Sequence, residues 1–217
     1  MNKWNRFLVG HFKDILTEPQ EDREDAIGRV CNEIPRMITR DQNLALMRAA
    51  TLEEVEEIVK GMKKNKALGP DGFAMEFYQA GWHFLGQDIL EVIEESRRHQ
   101  KVWPSLNSTL LSLIPKSTHS ETAQVFRPIA LCNVIYKIIA TLMAKRLKPI
   151  LSSIISPEQT GFVEGRQFLD GLVVSQEVLH SLKQKKEMGM MVKLDLSKAY
   201  DHLNWNYLKT ILMAFGF

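Results

Sequence analysis

The residues best suited to chemistry stand near the end of the sequence, in MVKLDLSKAYDHLNW (Met191–Trp205). An apolar run over Met190–Leu194 reads as a strand and delivers a single carboxylate, Asp195, just where a helical pattern begins. Rigid strand tips are where many nucleotide and phosphate enzymes hold a metal ligand, because the following turn opens to solvent. Magnesium prefers such hard oxygen donors. The same spacing also suits an acid that stabilises the first turn of the next helix, and spacing alone leaves both readings open. Asp201 falls one to two turns into that helix, where a local cap or pair is expected rather than a shared metal.

Cations form a second set of candidates. The net charge of +2 averages an N-terminal part, residues 1–59, at −4 with a remainder at +6. The basic residues cluster as Lys63, Lys64, Lys66; Arg97, Arg98, Lys101; Lys145, Arg146, Lys148; and Lys183, Lys185, Lys186. Such clusters suit a polyanion, since Lys and Arg displace counterions condensed on phosphates. Each cluster also suits a solvated helix end, because cations favour the last helical turn. Only convergence on one face makes a binding site of them.

Helices must carry most of this. Thr51 and Glu54 read as a capping box ahead of Leu52, Val55, Ile58, Val59 and Met62 on one helical face. After the basic run comes a tight turn, LGPDG (Leu68–Gly72), with Pro70 presetting φ. Helical patterns follow over Phe73–Gly81 and about Asp88–His99, with Trp103 and Pro104 as a stop. Thr109–Ile114 reads as a buried strand, Phe126–Leu131 as a second apolar run, and Asn133 as the cap of a helix bearing Ile135, Ile138, Ile139, Leu142, Met143 and Leu147. Ser156, Pro157 and Gln159 read as a further helix start, ahead of a helix over Phe168–Lys186. The last helix carries Leu208, Ile211, Leu212 and Phe215 on one face and Gly216 as its stop. An acidic linker is expected at Glu18–Asp25, then an amphipathic helix near Asp25–Ile34.

With 217 residues and 45% apolar content the chain can bury a real core. It contains no run of some 18 apolar residues and no cleavable leader pattern, so a soluble, intracellular chain is expected. Cys31 and Cys132 are expected as small buried apolar residues rather than a disulfide framework or zinc site.

Five segments go beyond general physics. KNKALGPDGF, LIPK, FRPIALCNVIYKIIATLMAKRLKPIL, SPEQTGFVEGR and KLDLSKAYD resemble, in order and spacing, the reverse transcriptase of non-LTR retrotransposons of the long interspersed element type. The resemblance covers roughly Thr51–Phe217, its wording is similar to plant lineages, and residues 1–50, with HFKDIL, resemble the connector ahead of the polymerase.

The resemblance implies an α+β, helix-rich partial right-hand polymerase: fingers over about 51–188 and the start of the palm over about 189–217. It implies Asp195 as the first catalytic aspartate, holding two magnesium ions with the backbone carbonyl of Leu196, and Tyr200 as a steric gate against the ribose 2′-hydroxyl. Lys116 and Arg127 match residues that contact the incoming nucleotide and template. Gln159, Gly161, Phe162, Gly165 and Arg166 match the lining of the template and nucleotide pocket. Implied partners are an RNA template, a DNA primer and dNTPs, with no membrane, in nucleus or cytoplasm.

Leu68 and Ala130 depart mildly from the family's proline and serine. The larger departure is that an aromatic followed by Ala-Asp-Asp, the family's second acidic motif, occurs nowhere in the 217 residues. One carboxylate cannot hold two divalent ions against water, so the chain alone is expected to be inactive and not to bind both ions. The alternative is a non-catalytic RNA- or DNA-binding remnant or interaction protein.

Overall fold

A computed structural model describes residues 3–17, 23–116, 122–186, 188–190, 192 and 200–217. It divides into two compact units, residues 44–147 and residues 1–43 with 148–217. The described residues are helix-rich with one two-stranded sheet, an α+β arrangement. None of their helices is long and apolar enough to cross a membrane.

The 44–147 unit is built on α4 (Leu52–Gly61), α5 (Met75–Ala80), α6 (Trp82–His99) and the start of α8 (Val134–Ile154). Its core is the apolar spacing of these helices made solid: Val55, Ile58 and Val59 meet Tyr78, Ile89, Ile93, Ile138 and Leu142. Burying a side chain of this size contributes about 1.5–3 kcal/mol. Helix α6 begins at Trp82, six residues before the expected start, and closes with Gln100 in a left-handed conformation. Pro104 does not end a helix but opens one, the short α7 (Pro104–Asn107), where its missing N–H costs nothing.

Strands β1 (Thr109–Pro115) and β2 (Phe126–Cys132) form an antiparallel ribbon. The expected burial of β1 is corrected here: Leu110, Leu111 and Ile114 are about half exposed. A two-stranded ribbon has no third strand to help bury its side chains.

In the other unit, α10 (Trp205–Phe215) packs on α2 (Glu24–Asn32). Asn204 caps α10 through Tyr207 N–H, and the Phe215 carbonyl accepts from both Met37 and Ile38 N–H at 2.9 Å. Gly216, at φ +102°, ends α10 as expected, and a Cβ there would strike Arg36. Two helices escaped the sequence reading: α1 (Lys3–Leu16) and α3 (Arg40–Met47). A signal for α3 was present, since Thr39 and Gln42 form a reciprocal capping box.

Helix α9 (Phe168–Lys185) lies where expected, with Gln167 and Asp170 as its capping box. The helix expected from Ser156 is absent. Gln159 donates to the Gly161 carbonyl instead of reaching back, and Phe162 adopts φ +65°, which no helix tolerates. Of the expected strand Met190–Leu194, Met190 and Val192 are described, and both are exposed and outside any strand; the rest lies outside the described residues. Cys31 and Cys132 are half-buried free thiols rather than buried ones.

One arginine ties the 44–147 unit together. All five Arg146 N–H groups are engaged: Nε and Nη2 grip Glu54 at 3.0 and 2.7 Å, and the others reach the Leu46, Arg48 and Ala49 carbonyls. Glu54 therefore does not close its capping box; Thr51 Oγ1 accepts from Glu54 N–H, but the carboxylate is committed to Arg146. That hydrogen bond holds the Glu54 carboxyl below its ordinary value of 4.5 despite the opposing effect of burial.

A carboxyl depressed in the folded state adds stability above its unfolded pKa and loses it as pH falls through the folded value. Glu54→Gln should cost about 3 kcal/mol in urea unfolding at pH 7. Wild type should weaken below about pH 5, and the variant should weaken less. Glu94, held low by its hydrogen bond to Arg97, contributes to the acid sensitivity that remains.

Candidate nucleic-acid and nucleotide interface

The turn after α4 is held by a side chain sixty residues away. Asn133 is 1% exposed; its Oδ1 accepts from Asp71 N–H at 3.1 Å, and its Nδ2 donates to the Ser105 and Leu106 carbonyls at 3.0 and 3.3 Å. The expected N-cap residue thus spends its amide on the LGPDG turn and on α7. Gly69 is required by this approach rather than by its φ: a Cβ there would lie 2.4 Å from Asn133 Oδ1 and 2.6 Å from its backbone nitrogen.

This clamp brings the residues after the turn against the start of α8. Between them lies a groove of about 380 Å³ with Met62, Leu131 and Val134 along its floor and Phe73 at its side. Lys63, Lys66 and Lys137 line the same groove. No ion pair among the described residues engages these three lysines.

The other basic residues are largely committed elsewhere. Arg97 is bidentate on Glu94, Arg98 Nε donates to the Glu94 carbonyl, Lys145 meets Glu57 at 3.2 Å, and Arg146 is fully used as above. Lys183 and Lys185 stand in the last turn of α9, as helix-end cations do.

The ribbon gathers a second group. Arg127 lies opposite Ile114 in the register, and Lys116 N–H bonds the Val125 carbonyl one step past the paired residues. Strand alternation therefore puts Lys116 and Arg127 on one face, and both are exposed.

The third group belongs to the unit containing residues 148–217. Arg166 donates to the Ser152, Ile155, Ser156 and Gln159 carbonyls, satisfying the C-terminal end of α8 and the loop after it. Val163 anchors the loop at 6% exposed, Gly165 takes φ +80°, and Phe162 is pushed out at 93% exposed. The Phe162 and Tyr200 rings meet edge to face at 6.3 Å and 87°, with Tyr200 itself 79% exposed. Positive φ at a bulky residue is costly and persists where surroundings enforce it, here Val163 and the Arg166 clamp. Asp195 and Leu196 lie outside the described residues. Among the described residues no group of three or more His, Cys, Asp or Glu could hold a metal ion.

Residues 114–217 match the family described as reverse transcriptase (RNA-dependent DNA polymerase). These residues belong to the reverse transcriptase family. The chain is 30% identical over 206 residues, 95% of its length, to the Transposon TX1 uncharacterized 149 kDa protein of Xenopus laevis. It is 27% identical over 159 residues, 71% of its length, to the Retrovirus-related Pol polyprotein from type-1 retrotransposable element R1 of Bradysia coprophila. It is also 25% identical over 172 residues, 76% of its length, to the corresponding R2 polyprotein of Popillia japonica. The chain spans 16%, 15% and 22% of these relatives.

These matches bear out the resemblance read from motif order: the chain carries part of a non-LTR-type reverse transcriptase domain. Reverse transcriptase domains in general use divalent metal ions and bind template, primer and nucleotide. What sequence reasoning missed is the Asn133 clamp and the place of Lys137, which stood in no basic cluster.

Asn133→Ala leaves two carbonyls and one N–H without partners and should cost about 3 kcal/mol in denaturant unfolding. Gly69→Ala should cost at least about 2 kcal/mol. A neutral Gly69→Ala would contradict the close approach.

Proposed function

We propose that the chain forms fingers and the first part of the palm of a right-hand polymerase that extends a DNA primer 3′-end with dNTPs on an RNA template. The observation that carries this reading is the convergence of Lys63, Lys66 and Lys137 on one apolar-floored groove beside Phe73. Three ammonium groups without ion-pair partners among the described residues suit successive phosphates, and an aromatic ring beside them suits an unpaired base, which is how single strands are held without sequence preference.

The remaining roles follow from residue chemistry. Arg127 and Lys116 offer a guanidinium fork and a point charge from one face of the ribbon, suited to triphosphate oxygens and template. Arg166 acts as a positioning residue: its donors are spent on carbonyls, and it holds the Gln159–Gly165 loop in shape. Gln159, Gly161 and Gly165 shape the pocket lining, and Phe162 stands against Tyr200, whose ring would reject a ribose 2′-hydroxyl. Asp195 and the Leu196 carbonyl would hold magnesium, which when bound activates the primer 3′-oxygen and stabilises the leaving pyrophosphate. That assignment rests on the sequence motif alone.

The 217 residues hold only the first of the acids such a site needs, so by themselves they should extend no primer. Nucleotide incorporation on an RNA template that Asp195→Ala abolishes would contradict this.

Binding is tested separately from chemistry. Affinity for a single-stranded RNA, followed by fluorescence anisotropy, should fall steeply between about 50 and 200 mM salt. The triple variant Lys63→Gln, Lys66→Gln, Lys137→Gln should lower the log–log salt slope by about 2. An unchanged slope would remove the groove from the nucleic-acid path.

A further inference from the structure

A second cavity in the 44–147 unit contains none of the residues assigned to polymerisation. It measures about 470 Å³ and opens between the second half of α6, Val102, α8 and the end of α3. Its walls are apolar, from Ile93, Val102, Ile139, Leu142 and Leu147, and Met47 and Met143 stand at its rim, 66% and 60% exposed. The volume lies within the range of small-molecule sites, which join an apolar lining to a few placed polar groups.

Of the polar groups on this lining, Gln100 and Lys101 are exposed, and the others separate into two kinds. Glu94 is held by Arg97 and by Ala50 N–H at 2.7 Å, Arg97 also reaches the Met47 carbonyl, and Arg146 has no N–H to spare. Ser96 is different: it is 6% exposed, and its Oγ has no hydrogen-bond partner among the described residues. A helical hydroxyl ordinarily turns back to the carbonyl four residues earlier. Thr141, Ser175 and Thr210 in this chain all do so, at 2.7–2.8 Å. Ser96 does not, which leaves a buried hydroxyl on the wall of an apolar cavity, a costly arrangement unless something bonds it.

We infer that this cavity is a ligand site for a small, uncharged, largely apolar molecule of one or two rings carrying one hydrogen-bonding group that pairs with Ser96 Oγ. An uncharged ligand is favoured because Glu94, Arg97 and Arg146 are already paired, and the remaining cation on the lining, Lys101, is exposed and lies over the Trp103 ring at 5.2 Å. The two exposed methionines give the mouth an adaptable thioether rim, suited to flat apolar bodies.

The test compares naphthalene with 2-naphthol, which differ by one hydroxyl, in NMR titrations of the 217-residue chain. Both should shift the methyl resonances of Ile93, Ile139 and Leu142, and 2-naphthol should bind about three- to tenfold tighter. Ser96→Ala should erase that preference without lowering Tm, and Met143→Trp at the rim should weaken both compounds. Equal affinities in wild type would mean that Ser96 serves only a buried water. That result, a preference that survives Ser96→Ala, shifts confined to other apolar residues such as those of α9, or no binding of either compound, would each overturn the assignment.

Discussion

The buried amide of Asn133 is the constraint on which the lysine groove depends. Inside an apolar core an amide is favourable only when both of its ends are paired, because an unmet donor or acceptor there costs about 1–3 kcal/mol. Asn133 meets that condition with three backbone groups from the LGPDG turn and from α7: the Asp71 N–H and the Ser105 and Leu106 carbonyls. It sits immediately ahead of α8, so satisfying it fixes the LGPDG turn, α7 and the first turn of α8 relative to one another. The cost of that geometry falls on Gly69, where no side chain fits. The groove lysines are carried on either side of the clamp, two before the turn and one on α8.

The hydrogen bonds of two arginines illustrate why counting charges misjudges this chain. Arg146 belongs to a basic cluster and Arg166 stands apart from the clusters, yet together they bond seven backbone carbonyls and one carboxylate. Guanidinium forks suit this work, since five fixed donors can terminate several chain ends at once. Arg146 closes the approach to α4, and Arg166 closes the end of α8. The cations left for an external polyanion are therefore fewer than the sequence suggests, and lysines predominate in the groove.

Much of the helical scaffold was legible because burial and periodicity agree. Val55, Ile58 and Val59 in α4, and Ile138 and Leu142 in α8, are read as one face and are buried as one face. The stop at Gly216 was legible because a helix end demands a left-handed residue. Two of the failures come from a partner that the local pattern does not specify. Asn133 is a cap by type, but its bonds reach residues 28 and 62 positions away. The helix signature at Ser156 is intact locally and loses to Arg166, which takes the Ser156 and Gln159 carbonyls. The family was legible from motif order. The pairing of Phe162 with Tyr200 was not, because nothing in either segment specifies the other.

The most direct test of the account is hydrogen–deuterium exchange of the chain with and without a single-stranded RNA. Bound RNA should protect the amides around Met62–Ala67 and Phe73–Met75 together with those at the start of α8, and Asn133→Ala should abolish the protection at all three. Protection confined to other segments, such as the Lys183–Lys186 end of α9, or protection that survives Asn133→Ala, would contradict it.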